Sequence, residues 1–332
     1  MQTVQQIFVG LDVSKDELVS AHPNKNTGSG WSKAKIINEV AMIKKWLMEV
    51  GVANKHFVLE HTGNYSQRLI HCLDELGASF SVVNPAQSRA MAKVLMKTSK
   101  TDDQDAQTLS RLGQNLLTKP YQMPPKAKRM RKEAFNALCA LQKQERQLQN
   151  QLHAVEFLVD PNPAVLEAFN SVLTVVKTQI KHLQTQLRPE VDQVQEKQLV
   201  ERIRSIKGVG KATAEAVVAL FGNLSAFDSA KAFTKFIGLA PSEFTSGKSV
   251  RGRSFITKKG NAKIRALLFN CARSAMNYNT FCKALYHRII AKGKSGSIAL
   301  TAVMHKLARQ IFGVVKSGVD FDPKFTIQKK CV

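Results

Sequence analysis

The chain has 332 residues, 44% of them apolar, and carries 49 Lys/Arg against 25 Asp/Glu for a net charge of +24. That length accommodates two domains and that apolar share a real core, while the cation surplus points to a polyanionic partner, nucleic acid first. Five cysteines without a CxxC pair argue against disulfides and zinc, and the lack of an apolar run of ~18 residues or a signal-like N-terminus argues against a membrane or secreted protein, so a cytoplasmic, nucleoid-associated one is expected.

In chain order, short apolar runs predict strands at Ile7–Leu11, Glu17–Ala21, Lys35–Ile37, His56–Leu59 and Ser79–Val83. Helical spacing falls between and after them, at about Val40–Val50, Tyr65–Leu76, Pro85–Met96 and Asp103–Leu116. Residues 24–30 form a turn between the second and third strands. Three meandering strands followed by strands separated by helices predict a mixed sheet covered by helices, the order a ribonuclease-H-like fold requires. A breaker follows at Lys119-Pro120 and Pro124-Pro125. Residues 126–199 are then poor in glycine and rich in Gln, Lys, Glu and Leu, with Asp160-Pro161-Asn162-Pro163 as an interruption. This predicts two long helices joined by a Pro turn, a helical hairpin or coiled coil that spaces domains or pairs subunits. Residues 200–318 read as mostly helical apart from a Gly- and Ser-rich polar segment at 242–262, and the tail from Asp320 as extended. The fold class expected is α/β plus all-α, divided into 1–118, 119–199 and 200–332.

Charge follows that division. The three segments carry nets of +2, +4 and +18. Acid chemistry is placed in front and phosphate grip behind.

Four acids stand out in the front segment. Asp12 ends the run Ile7–Leu11, Glu60 ends Phe57–Leu59, and Asp102 and Asp105 lie three apart at a helix start. Residues i and i+3 share a helix face, so the pair projects together while Asp103 points away. Carboxylates at strand ends joined by such a pair would hold Mg2+, which activates a nucleophile and stabilises a leaving phosphodiester oxygen. Asp102 and Asp103 equally suit the positive end of a helix dipole. Lys100-Thr101 just before them would cap that helix and meet phosphate.

In the rear segment, Ile206-Lys207-Gly208-Val209-Gly210-Lys211 reads as the turn of a helix-hairpin-helix. Gly208 and Gly210 would let the backbone approach a phosphate, and Lys207 and Lys211 add charge. The GxxxxGK[ST] spacing is absent, so ATP is not implied. Residues 238–253 form a polar loop with Lys248, Arg251 and Arg253 among hydroxyls. A serine there would attack phosphorus or simply line a phosphate site, and residue type alone leaves Ser242, Ser246, Ser249 and Ser254 equivalent. Lys258-Lys259 lead a basic helix start suited to a nucleic-acid backbone.

Taken together, Gly10-Leu11-Asp12-Val13-Ser14-Lys15, Glu60-His61-Thr62-Gly63-Asn64-Tyr65, Val83-Asn84-Pro85, Lys100–Ala106, Ile206–Thr213, Phe236–Pro241, Ser246-Gly247 and Val250-Arg251-Gly252 resemble the DEDD transposases of bacterial insertion sequences. That group includes Piv-type DNA invertases and bridge-RNA-guided recombinases. The resemblance implies a RuvC-like catalytic domain whose tetrad, matched here by Asp12, Glu60, Asp102 and Asp105, binds Mg2+. It also implies a C-terminal transposase domain with a serine nucleophile matched by Ser246. The implied reaction cuts and rejoins donor and target double-stranded DNA through a covalent phosphoserine intermediate and a Holliday junction. The guided members add a noncoding guide (bridge) RNA and a tetramer, a dimer of dimers, for which 126–199 is the natural contact. His61 departs from the small residue more common after the glutamate, and Ser242-Glu243-Phe244 lack the arginines common there. The alternatives are a RuvC-type metal-dependent nuclease or junction resolvase using water, a protein-only DNA invertase, and a non-catalytic nucleic-acid-binding protein.

Overall fold

The computed structural model describes residues 6–24, 30–97, 99, 101–116, 119–187, 194–242 and 255–324, with 245–246 and 250–251 described as backbone only. Its contacts form two compact units, Met1–Pro124 and Pro125–Val332.

The first unit is built on a five-stranded sheet. Its strands are β1 (Ile7–Val13), β2 (Glu17–Pro23), β3 (Trp31–Ile37), β4 (Lys55–Glu60) and β5 (Ser79–Val83), in the order β3-β2-β1-β4-β5. The first three are antiparallel neighbours, and β4 and β5 add in parallel. The helices are α1 (Val40–Val50), α2 (Gln67–Glu75), α3 (Pro85–Val94) and α4 (Asp102–Asn115). Alternation along the central strands sorts them onto two faces. Val9, Leu11, Phe57 and Leu59 meet Ile43, Leu47, Leu69 and Leu73 of α1 and α2. Val58 and Val83 meet Leu109 and Leu112 of α4. This is why β1 and β4 read as unbroken apolar runs: both sides are covered.

β3 begins at Trp31, four residues before its expected start. It is an edge strand with exposed Ser32 and Lys33, so its sequence lacks a clean alternation. α2 begins at Gln67, two residues late, because Gly63 turns the chain at φ +69° ahead of it. The unit extends past residue 118. Tyr121 N donates to Phe80 O at 2.7 Å and Ser81 Oγ to Lys119 O at 2.8 Å, laying 119–121 along β5.

The second unit opens with the long helices α5 (Lys126–Glu156) and α6 (Pro163–Leu187), which pack on each other. They cluster with the C-terminal helices instead of forming a separate body. α7 (Val194–Arg204), α8 (Lys211–Phe221) and α9 (Ala230–Phe236) follow. The segment read as a polar loop carries two nested antiparallel ladders: β6 (Pro241–Ser242) pairs with β9 (Phe255–Ile256), and β7 (Thr245–Ser246) with β8 (Val250–Arg251). α10 (Ala262–Tyr278), α11 (Thr280–Ile290) and α12 (Gly296–Ser317) complete it. Among the described residues α12 alone is long and apolar enough to cross a membrane. Here it is the spine of the core, with Val303, Leu307, Ala308 and Ile311 fully buried against α7–α10 residues such as Ile203, Val217, Phe233 and Leu268.

Candidate active site

The register of the sheet puts two of the four acids side by side. β1 and β4 run parallel with Leu11 opposite Leu59, so Asp12 and Glu60 are the next residues on neighbouring strands, at the carboxyl end of both. α4 supplies the other two. A Cβ built on Gly10 would lie 1.9 Å from Ala106 O and 2.4 Å from Ser110 N, so α4 crosses β1 backbone to backbone at a point where no side chain fits. Ser110 Oγ fastens the crossing by donating to Phe8 O at 2.7 Å. Thr101 caps the helix, its Oγ1 accepting from Gln104 N at 3.3 Å. Asp103 turns outward and pairs with Lys33 of β3 at 2.5 Å, as its spacing required.

The electrostatics report the gathering of the four. Asp12 is raised from 3.8 to about 6, first by burial and then by Asp105 and Asp102, with a smaller push from Glu60. The Val13 backbone N–H acts in the opposite direction. Repulsion among hard oxygen donors is what a divalent cation relieves, so the set fits Mg2+ in chemistry and charge. The side chains do not yet converge on one point: no three His, Cys, Asp or Glu among the described residues stand at ligating distance.

Residue patterns did not single out the groups that hold these acids. Ser88 of α3 donates its hydroxyl to Glu60 Oε2. Asn38, almost fully buried, uses Nδ2 to bind Ser14 O at 2.8 Å, Lys15 O at 3.3 Å and Tyr65 O at 3.2 Å, tying the turn after β1 to the loop after β4. Arg68 donates to Asn38 O at 2.5 Å. Lys97 donates to Gln104 O in the first turns of α4; burial and then Arg111 lower its pKa, and Asp105 opposes them. One signal was available, since an isolated glycine within a strand marks a close backbone approach, and Gly10 is one.

In the second unit the two glycines of the turn before α8 have different surroundings. Gly208 adopts φ +98°, and a Cβ there would meet Ala275 Cβ at 2.6 Å, so its missing side chain serves packing on α10. Asn279, also buried, holds the same turn through Lys207 O at 3.3 Å. Gly210 sits in ordinary extended backbone as the α8 N-cap with open space where a Cβ would be, which leaves the helix end approachable. Lys207, Lys211, Lys258 and Lys259 are exposed. Ser246 pairs with Val250 and Thr245 with Arg251 through the backbone. Lys100, Lys248 and Arg253 lie outside the described residues.

Comparison with known proteins finds two family matches, the first running past Pro124 into α5. A model of IS110-type DEDD transposases matches residues 9–156, and the transposase IS116/IS110/IS902 family matches residues 200–287. The pilin gene-inverting protein of Moraxella lacunata is 27% identical over 97% of this chain and 99% of its own length. The transposase for insertion sequence element IS1111A of Coxiella burnetii is 31% identical over 35% of this chain and 32% of its own. Among solved structures, T. thermophilus RuvC in complex with a Holliday junction substrate covers 35% of this chain at 11% identity and TM-score 0.27, a superposition too loose to compare sites.

Proposed function

The chain belongs to the DEDD transposases of the IS110 type, and on that footing we propose that it is a DNA recombinase that cuts and rejoins donor and target duplexes through Ser246. The observation that carries the reading is the strand register that sets Asp12 beside Glu60, with Asp105 and Asp102 of α4 near enough to raise the Asp12 carboxyl. Asp12 and Glu60 would hold a cation from the strands, and Asp102 and Asp105 from the helix. Bound there, Mg2+ supplies Lewis acidity toward the scissile phosphate. Ser246 Oγ attacks phosphorus and gives its proton to solvent, the P–O bond to a deoxyribose oxygen breaks, and that oxygen takes a proton from solvent to leave as a hydroxyl. The phosphoserine keeps the bond energy, so an incoming strand end displaces Ser246 without ATP and a Holliday junction results. Lys207, Lys211, Lys258 and Lys259, with the remaining cations of the C-terminal segment, grip phosphate backbone.

A noncoding guide RNA and a tetrameric assembly, paired through α5 and α6, complete the proposal. The +18 charge of residues 200–332 supports it, since RNA and two duplexes present far more phosphate than one duplex. Protein-only inversion is a second reading, favoured by the end-to-end match to a pilin gene-inverting protein. RuvC-type hydrolysis by water is a third.

The test has two parts. Protein purified from cells carrying its native flanking DNA is stripped and its nucleic acid sequenced. One discrete RNA encoded beside the gene supports guidance, and a random mixture supports inversion by protein alone. Reaction with DNA is then quenched in denaturant. A covalent adduct lost in Ser246→Ala supports the serine route, whereas cleavage that survives this substitution without an adduct replaces it with hydrolysis.

A further inference from the structure

Glu60 has a hydroxyl built against it, that of Ser88. β5 pairs with β4 so that Val83 lies opposite Glu60, and His61 N donates to Val83 O at 3.1 Å. The chain then enters α3 at once. Asn84 Oδ1 accepts from Ala86 N at 2.8 Å, Gln87 Oε1 accepts from Asn84 N at 3.1 Å, and Pro85 occupies the first helical position. This reciprocal cap leaves the start of α3 no freedom relative to the end of β4. Ser88, one turn in and only 9% exposed, therefore stands at a fixed place beside the Glu60 carboxylate.

Its hydroxyl has one proton and two acceptors in reach, Glu60 Oε2 and, at 3.0 Å, Pro85 O. A charge-assisted bond to the carboxylate is the stronger of the two. We infer that Ser88 is a positioning residue that pins Glu60 through Oε2, leaving Oε1 as the oxygen available to a cation. This rests on the reading of Glu60 as a cation ligand. A glutamate has three side-chain torsions, and a ligand free to rotate must be ordered when the ion binds. Ser88 orders it beforehand and takes up one lone pair of Oε2, which favours ligation through Oε1. Outer groups of this kind change metal affinity or activity by about 10–100-fold.

The experiment uses the full chain and Mn2+ alone, an oxygen-preferring stand-in for Mg2+ whose free form is counted by EPR. Wild type, Glu60→Gln, Ser88→Ala and Ser88→Cys are titrated, with circular dichroism to confirm folding. Cysteine keeps a group of similar size should alanine fail to fold. The expected result is loss of binding in Glu60→Gln and about tenfold weaker binding in the folded Ser88 variants. It appears again as a higher Mg2+ midpoint for DNA cleavage with an unchanged maximal rate. Wild-type affinity in the Ser88 variants alongside lost binding in Glu60→Gln overturns the role of Ser88 and leaves Glu60 a ligand. Wild-type affinity in Glu60→Gln, or no binding by the wild-type chain, overturns the reading of Glu60 and the inference with it.

Discussion

Gly10 and Ala106 touch through their backbones: a methyl carbon on Gly10 would fall 1.9 Å from the Ala106 carbonyl oxygen. The obstacle is main chain and not the end of a flexible side chain, so α4 itself must withdraw to admit one. Gly10→Ala should lower stability by about 1–3 kcal/mol. Because α4 carries Asp102 and Asp105, it should also weaken Mn2+ binding. Urea unfolding and the EPR titration measure the two effects. A variant as stable as wild type, with unaltered Mn2+ affinity, would show that the approach of helix to strand is not fixed at this contact.

The raised Asp12 carboxyl makes the metal-free protein less stable as pH rises. Its folded value of about 6 lies above the ordinary 3.8, so the folded state holds the proton more tightly. Below 3.8 both states are protonated and nothing is lost. Between 3.8 and 6 the unfolded chain releases its proton first, and stability falls across that window. Asp12→Asn should therefore stabilise the metal-free protein at pH 7, on the order of 1 kcal/mol after discounting for solvent screening. Excess Mg2+ should abolish or reverse that advantage. Thermal melts of both proteins at pH 4 and pH 7 check it, and an equal difference at the two pH values would contradict the sign.

His56 works in the opposite direction. Nearly fully buried on β4, it lies between Ser79 Oγ at 2.7 Å and Ser81 Oγ at 2.8 Å, and burial lowers its pKa below 6.5. A depressed folded value means the unfolded chain takes up the proton first, so stability is complete above 6.5 and is lost as pH falls below it. NMR titration of the ring should give a midpoint below 6.5, and His56→Gln should flatten the loss between pH 6.5 and 5. An ordinary midpoint near 6.5 would remove His56 from the acid response.

The two glycines before α8 should separate. Gly208→Ala combines strain at φ +98° with a 2.6 Å clash on Ala275 and should cost about 2 kcal/mol or more. Gly210→Ala, in open space with ordinary φ, should cost at most about 1 kcal/mol, the usual loss at an N-cap. Chemical denaturation ranks them. A larger loss at Gly210 would mean that the turn is held at the wrong residue in this account.

Much of the first unit was legible because its elements are covered on both sides. Ser79–Val83 and Val40–Val50 lie where their apolar spacing put them, and the run ending in Glu60 marks the end of β4, while β1 runs two residues past its expected end at Leu11, to Val13. Trp31 to Ala34 were missed, since an edge strand facing solvent has no pattern to impose. Ser88 and Asn38 were missed for a different reason. Each matters through a partner 28 residues away for Ser88 and 23 to 27 away for Asn38, and nothing local distinguishes a serine in a first helical turn from any other. Gly208 was noticed, but the packing demand on it could not be, because that comes from Ala275, 67 residues downstream.

The docking of α4 across Gly10 also sets an order of events during synthesis. Asp12 and Glu60 leave the ribosome well before Asp102 and Asp105, and the latter reach them only when the last helix of the first unit closes over β1. Until then the nascent chain has two of the four carboxylates. A polypeptide released before α4 has only Asp12 and Glu60 of the four acids, and on the proposed function it would make no cut. On that function, cutting would be reserved for molecules whose first unit has been made to its end.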